Sequence, residues 1–144
     1  MAHVIFFEKP GCGGNARQKR RLAESGHLVE ARNLLSHPWT EAELRAFFGA
    51  RPVDQWFNRA HPKVKSGALR PCDITAAQAL SLMLADPLLI RRPLLQVGME
   101  REVGWDEDRL RAWIGLAAGG VGEGCPRDEA YAPCPMPDAA PRPA

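Results

Sequence analysis

The chain has 144 residues and a formal net charge of +2, and 45% of its residues are hydrophobic. This length suits one domain, and the near-neutral charge gives no reason to expect nucleic acid as a partner. No apolar stretch approaches the roughly 20 residues that cross a bilayer, and no secretory leader opens the sequence, so we expect a cytoplasmic protein without a membrane partner.

The first third of the chain predicts a β-α-β unit. Residues 3–7, HVIFF, are rich in branched and aromatic side chains and precede a Pro-Gly turn, which favours a buried strand. A helical pattern over residues 15–25 ends at a glycine, and residues 27–34 are typical of a second strand. Strands that are joined through a helix in this way are parallel.

Three helical segments are predicted next. Thr40 and Glu43 have the spacing of a capping box ahead of an apolar helical face. Residues 52–62, PVDQWFNRAHP, place Val53, Trp56 and Phe57 at i, i+3 and i+4, which indicates a short helix. Thr75 and Gln78 form a second capping pair at the start of a helix that stops before a proline.

The last predicted elements are two strands and a helix. Residues 94–97 and 101–104 are two short strands joined by a turn near Gly98, which predicts an antiparallel hairpin. Asp106 then caps a helix whose acidic first turn suits the helix macrodipole. The predicted order is β-α-β-α-α-α-β-β-α, an α/β fold.

The end of the chain differs in composition from the rest. Residues 117–144 are dense in Gly, Pro and Ala and contain few large apolar side chains. Such a segment buries too little surface to offset the entropy of ordering it. We therefore expect one folded domain over residues 1–116, followed by a disordered tail.

The cysteines and histidines are typical of neither a metal site nor a disulfide framework. The cysteines are widely spaced without a Cys-x-x-Cys pair, and the four histidines show no metal-ligand spacing. We therefore expect that no metal is bound, and that the cysteines are free thiols in a reducing compartment. The four cysteines are Cys12, Cys72, Cys125 and Cys134.

One of these cysteines, Cys12, stands in the stretch "EKPGCGGNARQKRRL" between the first strand and the first helix. A helix N-terminus presents unpaired N–H groups and a partial positive charge, and both lower a thiol pKa. Gly13 and Gly14 would let the backbone wrap around an anion, and Arg17 lies one turn further on. Cys12 is thus a candidate nucleophile, and the alternative is a small buried residue in a tight turn.

The quoted turn also carries a resemblance to a known family. "PGCGGNARQ" after the first strand, "DPLLIRRPLL" before the hairpin and "REVGW" before the last helix together resemble the arsenate reductase and Spx family. Within that family, "WFNRA", "KSG" and "MLADPLLIRRP" are most similar to the branch of nitrogenase-associated proteins. The similarity covers residues 2–116 in the same order.

The resemblance implies a thioredoxin-like fold, with a mixed four-stranded sheet flanked by helices. It implies that Cys12 is the nucleophile, that Arg92 binds the oxyanion and that Pro93 is a cis-proline facing the cysteine. It implies no bound cofactor and glutathione as a co-substrate. Further candidate residues for binding an oxyanion or a thiol substrate are Gly13, Gly14, Asn15, Arg17 and Arg59.

The sequence also departs from the patterns of the arsenate reductases and of the Spx proteins. Arsenate reductases carry two more arginines around the oxyanion, and Asn58 and Gly104 stand at those positions here. Spx proteins carry a Cys-x-x-Cys and contact RNA polymerase, but Asn15 replaces the second cysteine. Cys72 is a candidate for the thiol that resolves a mixed disulfide on Cys12, or else a passive loop thiol.

Three functional hypotheses follow. The first is a monothiol redox protein linked to nitrogen fixation, with glutathione, a glutaredoxin or nitrogenase-related proteins as partners. The second is an arsenate reductase that depends on glutathione and glutaredoxin. The third is a non-catalytic module that binds a partner protein through the same fold.

Overall fold

The structure is a computed structural model that describes residues 1–118. The predicted tail from residue 119 onwards, including Cys125 and Cys134, lies outside the described residues. The order of strands and helices agrees with the prediction, and short 3-10 turns cover Val53–Gln55, Pro71–Asp73 and Pro87–Leu89. The nine main elements are β1 (His3–Glu8), α1 (Gly13–Glu24), β2 (Leu28–Asn33), α2 (Glu41–Phe48), α3 (Pro62–Lys65), α4 (Ala76–Ala85), β3 (Leu94–Val97), β4 (Glu100–Val103) and α5 (Glu107–Trp113).

The four strands form one mixed sheet in the order β2-β1-β3-β4. Strand β1 runs parallel to β2 and antiparallel to β3, and β3 runs antiparallel to β4. Strands β1 and β4 therefore end at the same edge of the sheet, and β3 begins there. We call this edge the thiol edge, because the loop after β1 carries Cys12.

Two apolar cores cover the two faces of the sheet, because successive side chains of a strand point to opposite faces. Phe6 of β1 packs with Leu22 of α1 and Leu110 of α5. Phe7 packs on the other face with Leu44 of α2 and with residues of α4. The fold is thus a thioredoxin-like sheet with helices on both sides, as predicted.

The predicted helix over residues 52–62 is wrong in type. Only Val53–Gln55 form a single 3-10 turn, and Phe57 instead makes an isolated β-bridge with Ile90. The spacing of apolar side chains that suggested a helix arises because Trp56 and Phe57 are both buried. The third α-helix lies later, at Pro62–Lys65, where the side chain of His61 accepts a hydrogen bond from the N–H of Lys63.

The two predicted capping boxes differ in outcome. At α4 the box is complete, since Thr75 and Gln78 exchange side-chain and backbone hydrogen bonds. At α2 the hydroxyl of Thr40 accepts from the N–H of Glu43, but the Glu43 carboxylate lies against Nε2 of His37, 3.0 Å away. Because the Glu43 carboxylate contacts the His37 imidazole, it does not complete the second capping box.

The chain after α5 is held against α1. Arg21 is only 6% exposed and donates to the Glu107 carboxylate at 2.8 Å and to the carbonyl of Ala117 at 2.6 Å. The N–H of Ala117 donates to the hydroxyl of Ser25. The first residue assigned to the tail by composition therefore contacts the domain through polar groups, which a search for apolar side chains does not detect.

Among residues 1–118, no helix combines the length and the apolar character that a membrane span requires.

Candidate thiol site at the edge of the sheet

Cys12 is the residue immediately before α1, in the N-cap position, with an extended backbone. Its N–H donates to the carbonyl of Lys9, and its carbonyl accepts from the N–H of Ala16 as the first bond of the helix. Gly11 has φ +83°, a conformation that side-chain-bearing residues rarely adopt, so the turn depends on this glycine. The turn places the thiol over the N-terminal N–H groups of α1.

Arg92 reaches the thiol from the other side of the edge. Its Nη2 lies 3.9 Å from the Cys12 sulfur, although 80 positions separate the two residues in the sequence. The contact is possible because Arg92 lies two residues before β3, which begins where β1 ends. The Arg92–Pro93 peptide bond is cis, as the resemblance implies.

The surroundings of the thiol favour its ionised form. Burial raises the pKa of Cys12, but hydrogen bonds from the N–H of Asn15, from Arg92 and from the N–H of Gly14 outweigh it, and the charge of Arg92 adds to them. The pKa of Cys12 is therefore lowered. Since the thiolate is the nucleophile, a larger fraction of Cys12 is ready to react near neutral pH than of an ordinary cysteine.

Asn15 supports the turn with its side chain. It is buried, its Oδ1 accepts from the N–H of Lys9 at 3.1 Å, and its Nδ2 donates to Oε1 of Gln18 at 2.9 Å. Both ends of the amide are used inside the protein. Asn15 thus serves the thiol through its backbone N–H, whereas the sequence suggested a role in binding substrate.

Other predicted site residues lie on α1 and on a loop beside the segment before β3. Nη1 of Arg17 lies 3.8 Å from the point where a Cβ on Gly13 would stand, so this guanidinium covers the glycine next to Cys12. Gly14 is buried at the start of α1. Arg59 is exposed on the loop that runs beside the residues before β3. Of these residues, Arg17 thus brings a positive charge next to the Cys12 turn.

At the two positions where arsenate reductases carry further arginines, the residues of this chain make structural contacts instead. Nδ2 of Asn58 donates to the carbonyl of Leu88, and its Oδ1 accepts from the N–H of Ala60, so its amide holds two loops together. At Gly104, an added Cβ would lie only 2.6 Å from Nε of Arg91. Sequence reasoning missed Arg91, and the Arg-Arg pair before the cis-proline was the available signal.

The expectation that all four cysteines are free thiols is wrong for Cys72. Cys72 is exposed and disulfide-bonded, whereas Cys12 is a free thiol. The two are therefore not joined to each other, and Cys72 would have to be reduced before it could resolve an adduct on Cys12.

Within the described part of the chain, no cluster of three or more His, Cys, Asp or Glu side chains is arranged to hold a metal ion.

The sequence and structure are similar to those of several known proteins. An uncharacterized 15.7 kDa protein in the draG 3′ region of Rhodospirillum rubrum is 52% identical over 128 residues, which cover 88% of this chain and 90% of the relative. The arsenate reductase ArsI2 of Synechocystis is 22% identical over 94 residues, covering 64% of this chain and 67% of the relative. The crystal structure of an ArsC family related protein from Bacteroides fragilis superposes with a TM-score of 0.66 at 21% identity.

These similarities agree with the geometry described above. The Bacteroides fragilis structure covers 76% of this chain and 97% of its own, which shows the thioredoxin-like fold of ArsC proteins for most of the chain. The model of the ArsC family matches residues 9–113, a span that begins just before the Cys12 turn and ends with α5. The chain belongs to the ArsC family.

Proposed function

We propose that the protein is a monothiol oxidoreductase in which Cys12 exchanges disulfides with glutathione as the reductant, in the cytoplasm. The observation that carries this proposal is the contact between Arg92 and the Cys12 sulfur at the N-terminus of α1. A guanidinium and two N–H groups stabilise the thiolate there, and an attacking thiol needs that form.

The reaction has two balanced steps. The Cys12 thiolate attacks the glutathione sulfur of a mixed disulfide, a new S–S bond forms, and the substrate sulfur leaves as a thiolate that takes a proton from water. The thiolate of a second glutathione then attacks the glutathione sulfur of the adduct. Glutathione disulfide leaves, and the Cys12 thiolate is restored. Overall, the mixed disulfide and one glutathione thiol become the substrate thiol and glutathione disulfide, so the disulfide bond passes from the substrate to glutathione.

The turn around Cys12 explains why an external thiol is needed. Asn15 occupies the position of a second cysteine, and its side chain is bonded to Lys9 and Gln18. Cys72 is disulfide-bonded. We therefore propose that glutathione or a glutaredoxin reduces the adduct on Cys12 and is the partner of this protein.

The proposal is tested with a glutathionylated peptide, glutathione, NADPH and glutathione reductase, with NADPH consumption as the signal. Wild type is expected to turn over, Cys12→Ser to lose turnover entirely, and Cys72→Ser to keep it. Mass spectrometry of wild type after the first step, before a second glutathione has attacked, should find one glutathione, on Cys12. Equal NADPH consumption by wild type and Cys12→Ser would rule the mechanism out.

A second candidate is reduction of arsenate. Membership of the ArsC family, the Arg92 guanidinium at the thiol and the Arg17 guanidinium over Gly13 favour it. Asn58 and Gly104 count against it, because an arginine at position 58 would lose the two hydrogen bonds of the Asn58 amide and a side chain at position 104 would collide with Arg91. Arsenate-dependent NADPH consumption in an assay coupled through glutaredoxin, absent in Arg92→Gln, would establish this activity.

We further propose that the redox role is linked to nitrogen fixation. Support comes from the resemblance of "WFNRA" and "MLADPLLIRRP" to nitrogenase-associated proteins and from the 52% identity with a relative in the draG region. Growth of a deletion strain on dinitrogen, complemented by wild type or by Cys12→Ser, tests the link. Rescue by both proteins would instead favour a non-catalytic module that binds a nitrogenase-related partner.

A further inference from the structure

Arg91 connects three segments at the thiol edge. Its Nη1 donates to the carbonyl of Gln55 at 3.1 Å, and its backbone N–H donates to the carbonyl of Trp56 at 2.9 Å. The rest of the guanidinium lies on Gly104, where an added Cβ would be 2.6 Å from Nε and 2.8 Å from Nη2. One side chain thus joins the loop after α2, the segment before β3 and the end of β4.

Gly104 is held on the other side by Pro93. Its N–H donates to the carbonyl of Pro93 at 2.8 Å, and its φ of +77° belongs to the region that favours glycine. Arg91 and Pro93 therefore both contact Gly104, and Arg92 lies between them in the chain. Gly104 thus holds the residues on both sides of Arg92, and this fixes the backbone of Arg92.

This arrangement matters because the contact of Arg92 with the thiol is long. At 3.9 Å from the sulfur, the guanidinium lies near the limit of a hydrogen bond, and a small shift of its backbone would break it. The length of an arginine side chain is fixed, so the reach of its guanidinium depends on the position of the segment from which it extends. Whatever fixes the backbone of Arg92 also fixes the charge beside Cys12.

We propose that Arg91 is a positioning residue that holds Arg92 against the Cys12 sulfur, and that a side chain at position 104, besides straining the backbone there, would displace Arg91. This inference rests on the proposed role of Cys12 as a reactive thiolate. It adds two residues that do not touch the thiol to those that set its reactivity. In this chain the guanidinium of Arg91 takes the space of a side chain at position 104.

Two other roles for Arg91 make different predictions. If Arg91 only stabilised the fold, its loss would lower the melting temperature and leave the ionisation of Cys12 unchanged. If it acted on Cys12 directly as a second positive charge, Arg91→Lys would behave like wild type, and the effects of losing Arg91 and Arg92 would add. A residue that acts through Arg92 gives neither result.

The test measures the rate of Cys12 alkylation by iodoacetamide as a function of pH, followed by mass spectrometry of the Cys12 peptide. The proteins are wild type, Arg92→Gln, Arg91→Gln, Arg91→Lys, Gly104→Ala and the double variant lacking both arginines. We expect Arg92→Gln to be alkylated roughly tenfold more slowly at pH 7. Both Arg91 variants and Gly104→Ala should be slower than wild type by roughly threefold.

The double variant decides between the roles. We expect it to be no slower than Arg92→Gln, because Arg91 has no effect once Arg92 is gone. Alkylation of Arg91→Gln at the wild-type rate, or a double variant slower by the product of the two single effects, would overturn the inference. Melting temperatures identify folded variants, and Arg91→Lys carries the decision if Gly104→Ala or Arg91→Gln does not fold. If wild type and Arg92→Gln react alike with an ordinary pH midpoint, the reactive thiolate itself is refuted.

Discussion

The carboxylate of Glu102 offers a prediction about stability that can be worked out from the structure. Glu102 lies on β4 and is 12% exposed, and it accepts hydrogen bonds of 2.6 Å from Nη2 of Arg51 and from Nε of Arg109. It thereby joins the loop after α2, the sheet and α5. Glu102→Gln keeps the shape of the side chain and removes the charge that these two arginines share.

The expected loss in the free energy of unfolding lies between the values measured for exposed and for buried ion pairs. Exposed pairs contribute about 0–1 kcal/mol, and breaking a buried pair costs about 3–5 kcal/mol. Arg51 is 17% exposed and Arg109 is 56% exposed, so one partner is nearly buried and the other is largely in solvent. We expect Glu102→Gln to lower the free energy of unfolding by about 2 kcal/mol at pH 7.

The loss should depend on pH with a definite sign. Burial raises the pKa of Glu102, but hydrogen bonds from Arg109 and Arg51 outweigh burial and hold that pKa below its ordinary value. A carboxylate with a lowered pKa in the folded state stabilises the protein above its unfolded pKa and loses this contribution as the pH falls. Wild type and Glu102→Gln should therefore converge in acid, where the wild-type carboxyl gains its proton.

Urea unfolding at pH 7 and at successively lower pH measures this difference, with Glu41→Gln as the matched control. Glu41 forms an exposed pair with Arg45 within α2, with side chains that are 58% and 50% exposed. Its loss should cost less than about 0.5 kcal/mol. The reasoning fails if Glu102→Gln is as stable as the control at pH 7, or if its deficit does not shrink as the pH falls.

Three further predictions concern single side chains. Leu22→Ala should cost about 2–5 kcal/mol in urea unfolding because Leu22 is fully buried between α1 and the sheet, whereas Leu28→Ala, at a site 55% exposed, should cost less than about 0.5 kcal/mol. Asp106→Ala should lose about 1 kcal/mol, since its side chain accepts from the N–H groups of Asp108 and Arg109 at the start of α5. In Arg92→Gln the pH midpoint of Cys12 alkylation should move upward, and the rates of variant and wild type should meet at high pH where both thiols are ionised.

The sequence was sufficient for most of the fold because local signals and burial agreed there. Strand β3 has the predicted bounds, and β4 is displaced by one residue from the predicted 101–104. Asp106 caps α5 as its position before an acidic turn predicted. These elements follow from side-chain pattern alone, and no distant contact competes with it.

The site was harder to predict because its contacts join distant segments. The spacing around Cys12 indicated a thiol at a helix N-terminus, but Arg92 and Pro93 were assigned only through resemblance to a family. The contact between Arg91 and Gly104, and the use of the Asn58 amide between two loops, follow from neither pattern nor resemblance. Such contacts depend on how loops meet at the edge of the sheet, which periodicity does not encode.

The surroundings of positions 58 and 104 bear on which substrate the thiol serves. An arginine at Gly104 would have to replace Arg91 in the space over the backbone, and an arginine at Asn58 would break the two hydrogen bonds that hold the loops before β3. Each change would therefore disturb the segment that carries Arg92. A tetrahedral oxyanion needs several charged donors placed at once, whereas a disulfide needs only an ionised thiol and a path to its sulfur. These contacts therefore support the proposal of disulfide exchange rather than that of arsenate reduction.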